Sequence, residues 1–220
     1  MVDSYEPTAR TIPTRSRERA SYDRATVHAI LDDGYLCHLG FLRDGAPVVL
    51  PTLYARVGDQ VYVHGSTGSR PLRMAGAPDP GLEVCLTVTH VDGLVLARSA
   101  FHHSINYRSV MIHGTAHQVT DPTEKARVLD ALVDQVVPGR AQDSRPAGAK
   151  ELAATAVLRL TLAEVSAKVR TGPPNDDPED LGLPHWTGVL PVRTTYGDPE
   201  PAPDLDPSVP LPDYLRTAGA

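Results

Sequence analysis

From residue 35 onward, apolar and polar positions alternate in short runs broken by glycine and aspartate, the period-two pattern of half-buried strands. Residues 35–43 lead into Asp44-Gly45, a pair suited to a tight hairpin, and residues 47–57 return to Gly58-Asp59. Residues 60–64 form a third strand. Residues 82–91 and 94–101 read as a second hairpin around Asp92-Gly93, residues 108–119 as a further strand, and residues 156–170 as one long final strand. Helical spacing occurs twice. In residues 22–33, Val27, Ile30 and Leu31 share a face and Gly34 stands where a C-cap would. From residue 121, Asp121 is placed to cap, Pro122 takes the first helical position, Glu124 completes a capping box, and Val128, Leu129, Leu132, Val133 and Val136 line one face before Pro138-Gly139. A short helix is expected over residues 69–75.

Short antiparallel strands, tight turns and few helices predict a mainly β protein with helical appendages, folded as a β-barrel. Residues 1–21 are polar, contain proline and lack periodicity, so they read as an extended N-terminal arm. Residues 22–191 carry the folded domain. Residues 192–220 form a tail rich in proline and acid, too poor in apolar residues to order alone.

Composition narrows the function. The 220 residues are 41% apolar but only 5% aromatic, so the core rests on Val, Leu, Ala and Ile. A net charge of −6 argues against a nucleic-acid binder. The basic residues Arg10, Arg15, Arg17, Arg19 and Arg24 cluster in the arm, and carboxylates cluster after Gly172. Cys37 and Cys85 sit in apolar runs and read as buried, reduced thiols. The start has no apolar leader segment and no run of about 18 apolar residues occurs, so the expectation is a cytoplasmic protein without a membrane span.

Four stretches hold candidate chemistry. His64, Gly65, Ser66, Ser69 and Arg70 lie where a strand stops and a helix begins; glycines, hydroxyls, backbone N–H groups and a guanidinium together suit an anion, above all a phosphate. Pro51, between Leu50 and Thr52, interrupts an apolar strand, which marks either an edge strand or backbone left free to face a planar ligand. Asn106, Tyr107, Arg108, Ser109 and Val110 offer hydrogen bonds and a positive charge, or else form a surface turn at a strand start. Trp186, the only tryptophan, lies in a loop, as a packed lid or as an aromatic wall beside a ligand. Metal binding is not expected. His102 and His103 are adjacent on a strand and point to opposite faces, and His113 and His117 would stand about 13 Å apart on one.

The order of these clusters resembles that of the pyridoxamine 5′-phosphate oxidase-like flavin-binding proteins, in the branch of flavin-nucleotide-binding and nitroimidazole-resistance (Nim-type) proteins. The resemblance runs from about residue 21 to 191. It is carried by His64-Gly65-Ser66 with Ser69-Arg70, by residues 106–110 leading to Gly114, and by Lys168-Val169-Arg170 with Trp186-Thr187-Gly188. It implies a split β-barrel, antiparallel and Greek-key-like, that forms a homodimer with FMN at the subunit interface. Ser66, Ser69 and Arg70 would hold the phosphate, and the flavin ring would lie along Leu50, Pro51 and Thr52. Residues 106–110 would reach the ring or ribityl chain, and Trp186 would come from the same or the partner subunit. Pro71 follows Arg70 where pyridoxamine phosphate oxidases carry a second basic residue. Their C-terminal substrate-binding Arg/His pattern is absent too, so the resemblance implies a flavin without implying pyridoxamine oxidation. The expected activity is an FMN-dependent oxidoreductase acting on a small-molecule substrate, with nitroaromatic reduction as one version and His103 and Tyr107 nearest the ring. The alternative is a non-catalytic binder of flavin, deazaflavin or haem.

Overall fold

The structure, a computed structural model, describes residues 3–69, 74–75 and 81–216. Nine strands build one sheet: β1 (Ala20–Ser21), β2 (Leu36–Arg43), β3 (Ala46–Val57), β4 (Gln60–Ser66), β5 (Leu82–Leu96), β6 (Ser104–Gln118), β7 (Thr155–Thr161), β8 (Glu164–Arg170) and β9 (Gly188–Pro191). The helices are α1 (Arg24–Asp32), α2 (Pro122–Val136), α3 (Ala149–Ala154) and α4 (Asp213–Arg216). The strand order is β1-β8-β6-β7-β4-β3-β2-β5-β9, and the added β5–β6 pairing closes β2 to β7 into an antiparallel barrel. The neighbours β3-β4-β7 and β2-β5-β6 mix near and distant strands, as a Greek key does. None of the described helices is long and apolar enough to cross a membrane.

Inward-facing Leu39, Phe41, Val61, Val63, Leu86, Ile112 and Leu158 fill the barrel. The α1 face formed by Val27, Ile30 and Leu31 plugs it, and the Tyr54 hydroxyl donates to the Leu31 carbonyl at 2.6 Å. On the outside, Val128 and Leu132 of α2 pack on Ala55, Tyr62 and Val157. The N-terminal arm is tied down rather than loose. Tyr5 is buried, with its hydroxyl 2.8 Å from His28 Nε2 and donating to Asp59 at 3.0 Å, and Arg24 holds the same carboxylate at 2.6 Å. Both cysteines are free, and burial pushes the Cys37 thiol up to about 12.

Several sequence expectations are corrected. No hairpin forms at Asp92-Gly93: β5 runs through it, and a register shift between Val91 and Gly93 marks a bulge. Asp92 is drawn across to the Arg108 guanidinium on β6. Gly93 serves close packing, because a Cβ there would meet the Val189 side chain at 2.8 Å. Residues 156–170 do not form one strand. The chain turns at Leu162-Ala163, where the buried Leu162 donates its N–H to the Asp59 carbonyl, and this gives β7 and β8. Strand β6 begins at Ser104 rather than Arg108, and β4 runs on to Ser66. Gly34 is not a left-handed cap: it lets His90 approach, with a Cβ position only 2.7 Å from the imidazole. The capping box on α2 is half made. Asp121 accepts from the Glu124 N–H at 2.6 Å, but the Glu124 carboxylate goes to Tyr62 and Arg159. The expected helix over residues 69–75 falls largely outside the described residues.

Candidate functional site

The barrel is split beside β3. Strands β3 and β4 pair only between Tyr54–Val57 and Gln60–Val63, after which β4 follows β7 as far as Ser66. Among the described residues, β3 from Ala46 to Leu53 therefore has a neighbour on its β2 side only. Pro51 lies on this half-open stretch, where a missing N–H costs no ladder bond. Leu50 and Pro51 are exposed and Thr52 is half-buried.

Across the split stands the proposed anion turn. Gly65 and Ser66 are still strand, paired with Ala156 and Thr155, so the turn proper is residues 66–69. Its backbone donors are used inside the chain: Thr67 N–H goes to the Ala154 carbonyl, Gly68 N–H to Ser66 Oγ at 3.1 Å, and Ser69 N–H to the Ser66 carbonyl at 2.8 Å. That leaves the hydroxyls of Ser66, Thr67 and Ser69 as the donors for an anion. Arg70 lies outside the described residues. His64, half-buried beside Tyr62 on β4, has its Nδ1 buried with no hydrogen-bond partner, and burial lowers its pKa.

The β6 cluster points in two directions. Val110 is barrel core. Asn106 is buried and occupied: its amide nitrogen donates to the Gly172 carbonyl at 3.1 Å and its oxygen accepts from Arg170. Arg108 is clamped by Asp92 at 2.9–3.0 Å and by Asp33 at 2.8 Å. Those hydrogen bonds, Asp92 foremost, push its pKa further up and leave little of its charge for a ligand. Ser109 donates to the Lys168 carbonyl at 3.3 Å. Within one chain, β2 and β5 separate β3 from β6, so the two halves of the expected site stand on strands three places apart around the barrel.

The third part is a loop, residues 171–187, folded over the β5–β6 connection. Asp176 receives the Arg98 backbone N–H at 2.8 Å and its guanidinium at 2.7 Å. Burial works to raise this carboxyl, but the hydrogen bonds from Arg98 outweigh it and the net shift is downward. Thr187 donates to the Leu96 carbonyl at 2.9 Å, and Asp177 holds His102 Nε2 at 2.9 Å and raises its pKa. A cavity of about 320 Å³ opens between Arg98, Pro173, Pro174, Leu181 and Gly188. Large apolar side chains stand out beside it: Phe101 is 88% exposed and Trp186 70%. The neighbouring His103 places Nδ1 at 3.0 Å from the Ser99 carbonyl. The Ala97 backbone N–H reaches the same nitrogen at 3.4 Å. Sequence reasoning did not single out Asp92, Asp176 or Arg170 as partners of these groups, since each meets its partner only through the fold.

The sequence profile described as pyridoxamine 5′-phosphate oxidase matches residues 23–169. None of the curated proteins matches the chain. Among solved structures, the flavocytochrome Anf3 from Azotobacter vinelandii is 45% identical, with a TM-score of 0.89 over 96% of this chain and 97% of that one. The FAD and heme binding protein from Mycobacterium smegmatis is 39% identical, with a TM-score of 0.86 over 91% of this chain and 97% of that one. A protein from Bacteroides thetaiotaomicron, described as a 5-nitroimidazole antibiotic resistance protein, shares the fold at 19% identity and a TM-score of 0.55, over 68% of this chain and 86% of that one. The split barrel, the family profile over most of the chain and the near-full-length relatives agree: the chain belongs to the pyridoxamine 5′-phosphate oxidase family.

Proposed function

We propose that this protein is a flavin-dependent oxidoreductase of the flavocytochrome type, a homodimer that holds a flavin at its subunit interface and a haem beside it. The observation that carries the reading is the near-full-length similarity, at 45% and 39% identity, to two proteins described as a flavocytochrome and as an FAD and heme binding protein. The second description favours FAD over the FMN that the sequence resemblance implies. The Nim-type neighbour supports the fold alone, so nitroaromatic reduction has no separate support.

The residues present fit both groups in chemistry. For the flavin, the hydroxyl-rich turn at residues 66–69 and the half-open β3 at Leu50, Pro51 and Thr52 suit a phosphate end and a flat ring. The unpartnered Nδ1 of His64 is a polar atom whose desolvation a ligand's hydrogen bond would offset. For the haem, Phe101 and Trp186 offer flat apolar surface, and the exposed His103 supplies an imidazole that would ligate iron. The flavin supplies hydride and single-electron chemistry; the protein positions it and keeps water from one face. Since the two halves of the flavin site are far apart in one chain, a second copy is needed to bring β3 of one subunit to β6 and Trp186 of the other.

The visible spectrum of the purified protein tests this directly. Flavin bands together with a Soret band are expected, with FAD as the flavin released on denaturation and bleaching of the flavin by NADH or NADPH. Flavin without a Soret band would remove the haem, and flavin that no donor reduces would leave a binding protein without turnover. Arg70→Ala is expected to weaken flavin retention by about 1.5–3 kcal/mol, the cost of a charge-assisted contact; unchanged affinity would remove the phosphate assignment from this turn.

A further inference from the structure

Most arginines of this acidic chain are answered by carboxylates: Arg24 by Asp59, Arg56 by Asp32, Arg98 by Asp176, Arg108 by Asp33 and Asp92. One strip is different. The short turn Arg17–Arg19 leads into β1, which pairs with β8 so that Ala20 lies opposite Lys168, and Arg170 ends β8 opposite Tyr107 of β6. Arg15, Arg17, Arg19, Lys168 and Arg170 thus lie along one sheet edge. Among the described residues, the only carboxylate paired with any of them is Glu18, 3.6 Å from Arg19 and itself well exposed. The other contacts of the strip go to neutral acceptors. Lys168 Nζ donates to the Arg15 carbonyl at 3.3 Å, Arg17 Nε to the Pro13 carbonyl at 3.2 Å, and Arg170 to Asn106 and to the carbonyls of Gly172 and Pro173. Burial and the charge of Arg19 act to lower the Arg170 pKa, and Tyr107 opposes them only in part.

Uncompensated charge on a protein of net charge −6 calls for an anion. The strip starts at Arg170, which is bonded to Asn106 and faces Tyr107, and runs outward from the part of β6 assigned to the flavin. A ligand that lies on this part of β6 and continues along the sheet edge meets the strip. The turn at residues 66–69 provides for one phosphate; a dinucleotide carries a second phosphate and a second nucleoside.

We propose that the strip formed by Arg15, Arg17, Arg19, Lys168 and Arg170 binds an adenosine diphosphate moiety. Two sources share this chemistry, the adenylate half of FAD and that of a nicotinamide dinucleotide donor, and the inference rests on the flavin reading above. The test uses the full chain freed of cofactor and titrated with FAD, FMN and ADP-ribose, in the wild type and in Arg17→Gln/Lys168→Gln. Arg17→Gln alone serves as a milder variant at an exposed position, and thermal melting checks the fold. If the strip holds the flavin's own adenylate, the double variant loses at least about tenfold in FAD affinity while its FMN affinity holds. If it serves the donor, FAD and FMN are unaffected and ADP-ribose affinity falls by a similar factor, with a weaker salt dependence than in the wild type. Unchanged affinity for both FAD and ADP-ribose overturns the proposal, as does an equal loss for FMN and FAD, which would mean general damage to the site. A wild-type chain that takes up neither flavin overturns the functional reading instead, and the strip is then judged on ADP-ribose alone.

Discussion

At the scale of single residues, burial sorts candidates that look alike in sequence. Arg108 and Arg70 both offer a positive charge to a ligand in the sequence, yet Arg108 is spent on Asp92 and on Asp33, a residue 75 positions away that no local pattern connects to it. Asn106 is likewise turned inward by Arg170. His64 has the opposite property, a buried nitrogen with no partner and a pKa below its ordinary value of 6.5. The folded state therefore binds the His64 proton less readily than the unfolded chain does. The stability this neutral ring contributes is present above 6.5 and falls as pH drops from there toward the folded value. His102 runs the other way, because Asp177 raises it, so the wild-type profile mixes the two. Replacing His64 isolates the first contribution. His64→Gln is expected to lose less stability than the wild type between about pH 7.5 and about pH 5.5 in urea unfolding. A parallel loss in both proteins would show that His64 is not desolvated as described.

At the scale of elements, whatever depends on near neighbours in the chain was legible. The hairpin at Asp44-Gly45 pairs β2 with β3, and the apolar face of α1 packs as its spacing predicts, while on α2 Val128 and Leu132 are buried and Val133 stays exposed. What was not legible had been decided by distant partners. Asp92-Gly93 carries a hairpin signal, but the same residue types make a bulge, and the choice fell to Arg108 on one side and to the close packing of β9 on the other. The turn between β7 and β8 has no glycine, proline or asparagine to announce it. Helix α2 shows both kinds of determinant. Its cap is local, since Asp121 accepts the Glu124 N–H, and Asp121→Ala is expected to cost about 1 kcal/mol. The other half of the expected capping box is replaced by the reach of Glu124 to Tyr62 and Arg159, which pins α2 to β4 and β7. Glu124→Gln keeps a hydrogen-bonding group and is expected to destabilise less than Asp121→Ala in chemical denaturation, because its ion pair with Arg159 is largely solvated. The reverse order would make the Glu124 contacts, rather than the cap, the main anchor of the helix.

At the scale of the molecule, the outer face of β3, β2, β5 and β6 decides whether a single chain can work. Register places Val49 opposite Gly40, Pro51 opposite His38, Thr87 opposite Met111 and Val91 opposite Tyr107 on this face. Val49 is 63% exposed and Met111 42%, with Leu36 and Val91 exposed beside them. Monomers seldom leave so much contiguous apolar sheet to water, so a partner is expected to cover it, and by symmetry the same surface on a second copy is the simplest complement. The same association brings the β3 edge of one subunit toward β6 and Trp186 of the other, which is how residues on strands three places apart in one chain can enclose one flavin. A charge placed in the middle of this face would be buried without a partner on assembly while costing the free chain little, since the position is exposed there. Val49→Asp is therefore expected to give a folded monomer by light scattering, with flavin retention falling together with dimer content. A dimer that persists in this variant would move the interface elsewhere. A monomer with full flavin occupancy would mean that one chain encloses the cofactor unaided, and the separation between β3 and β6 would then need a ligand pose that spans it.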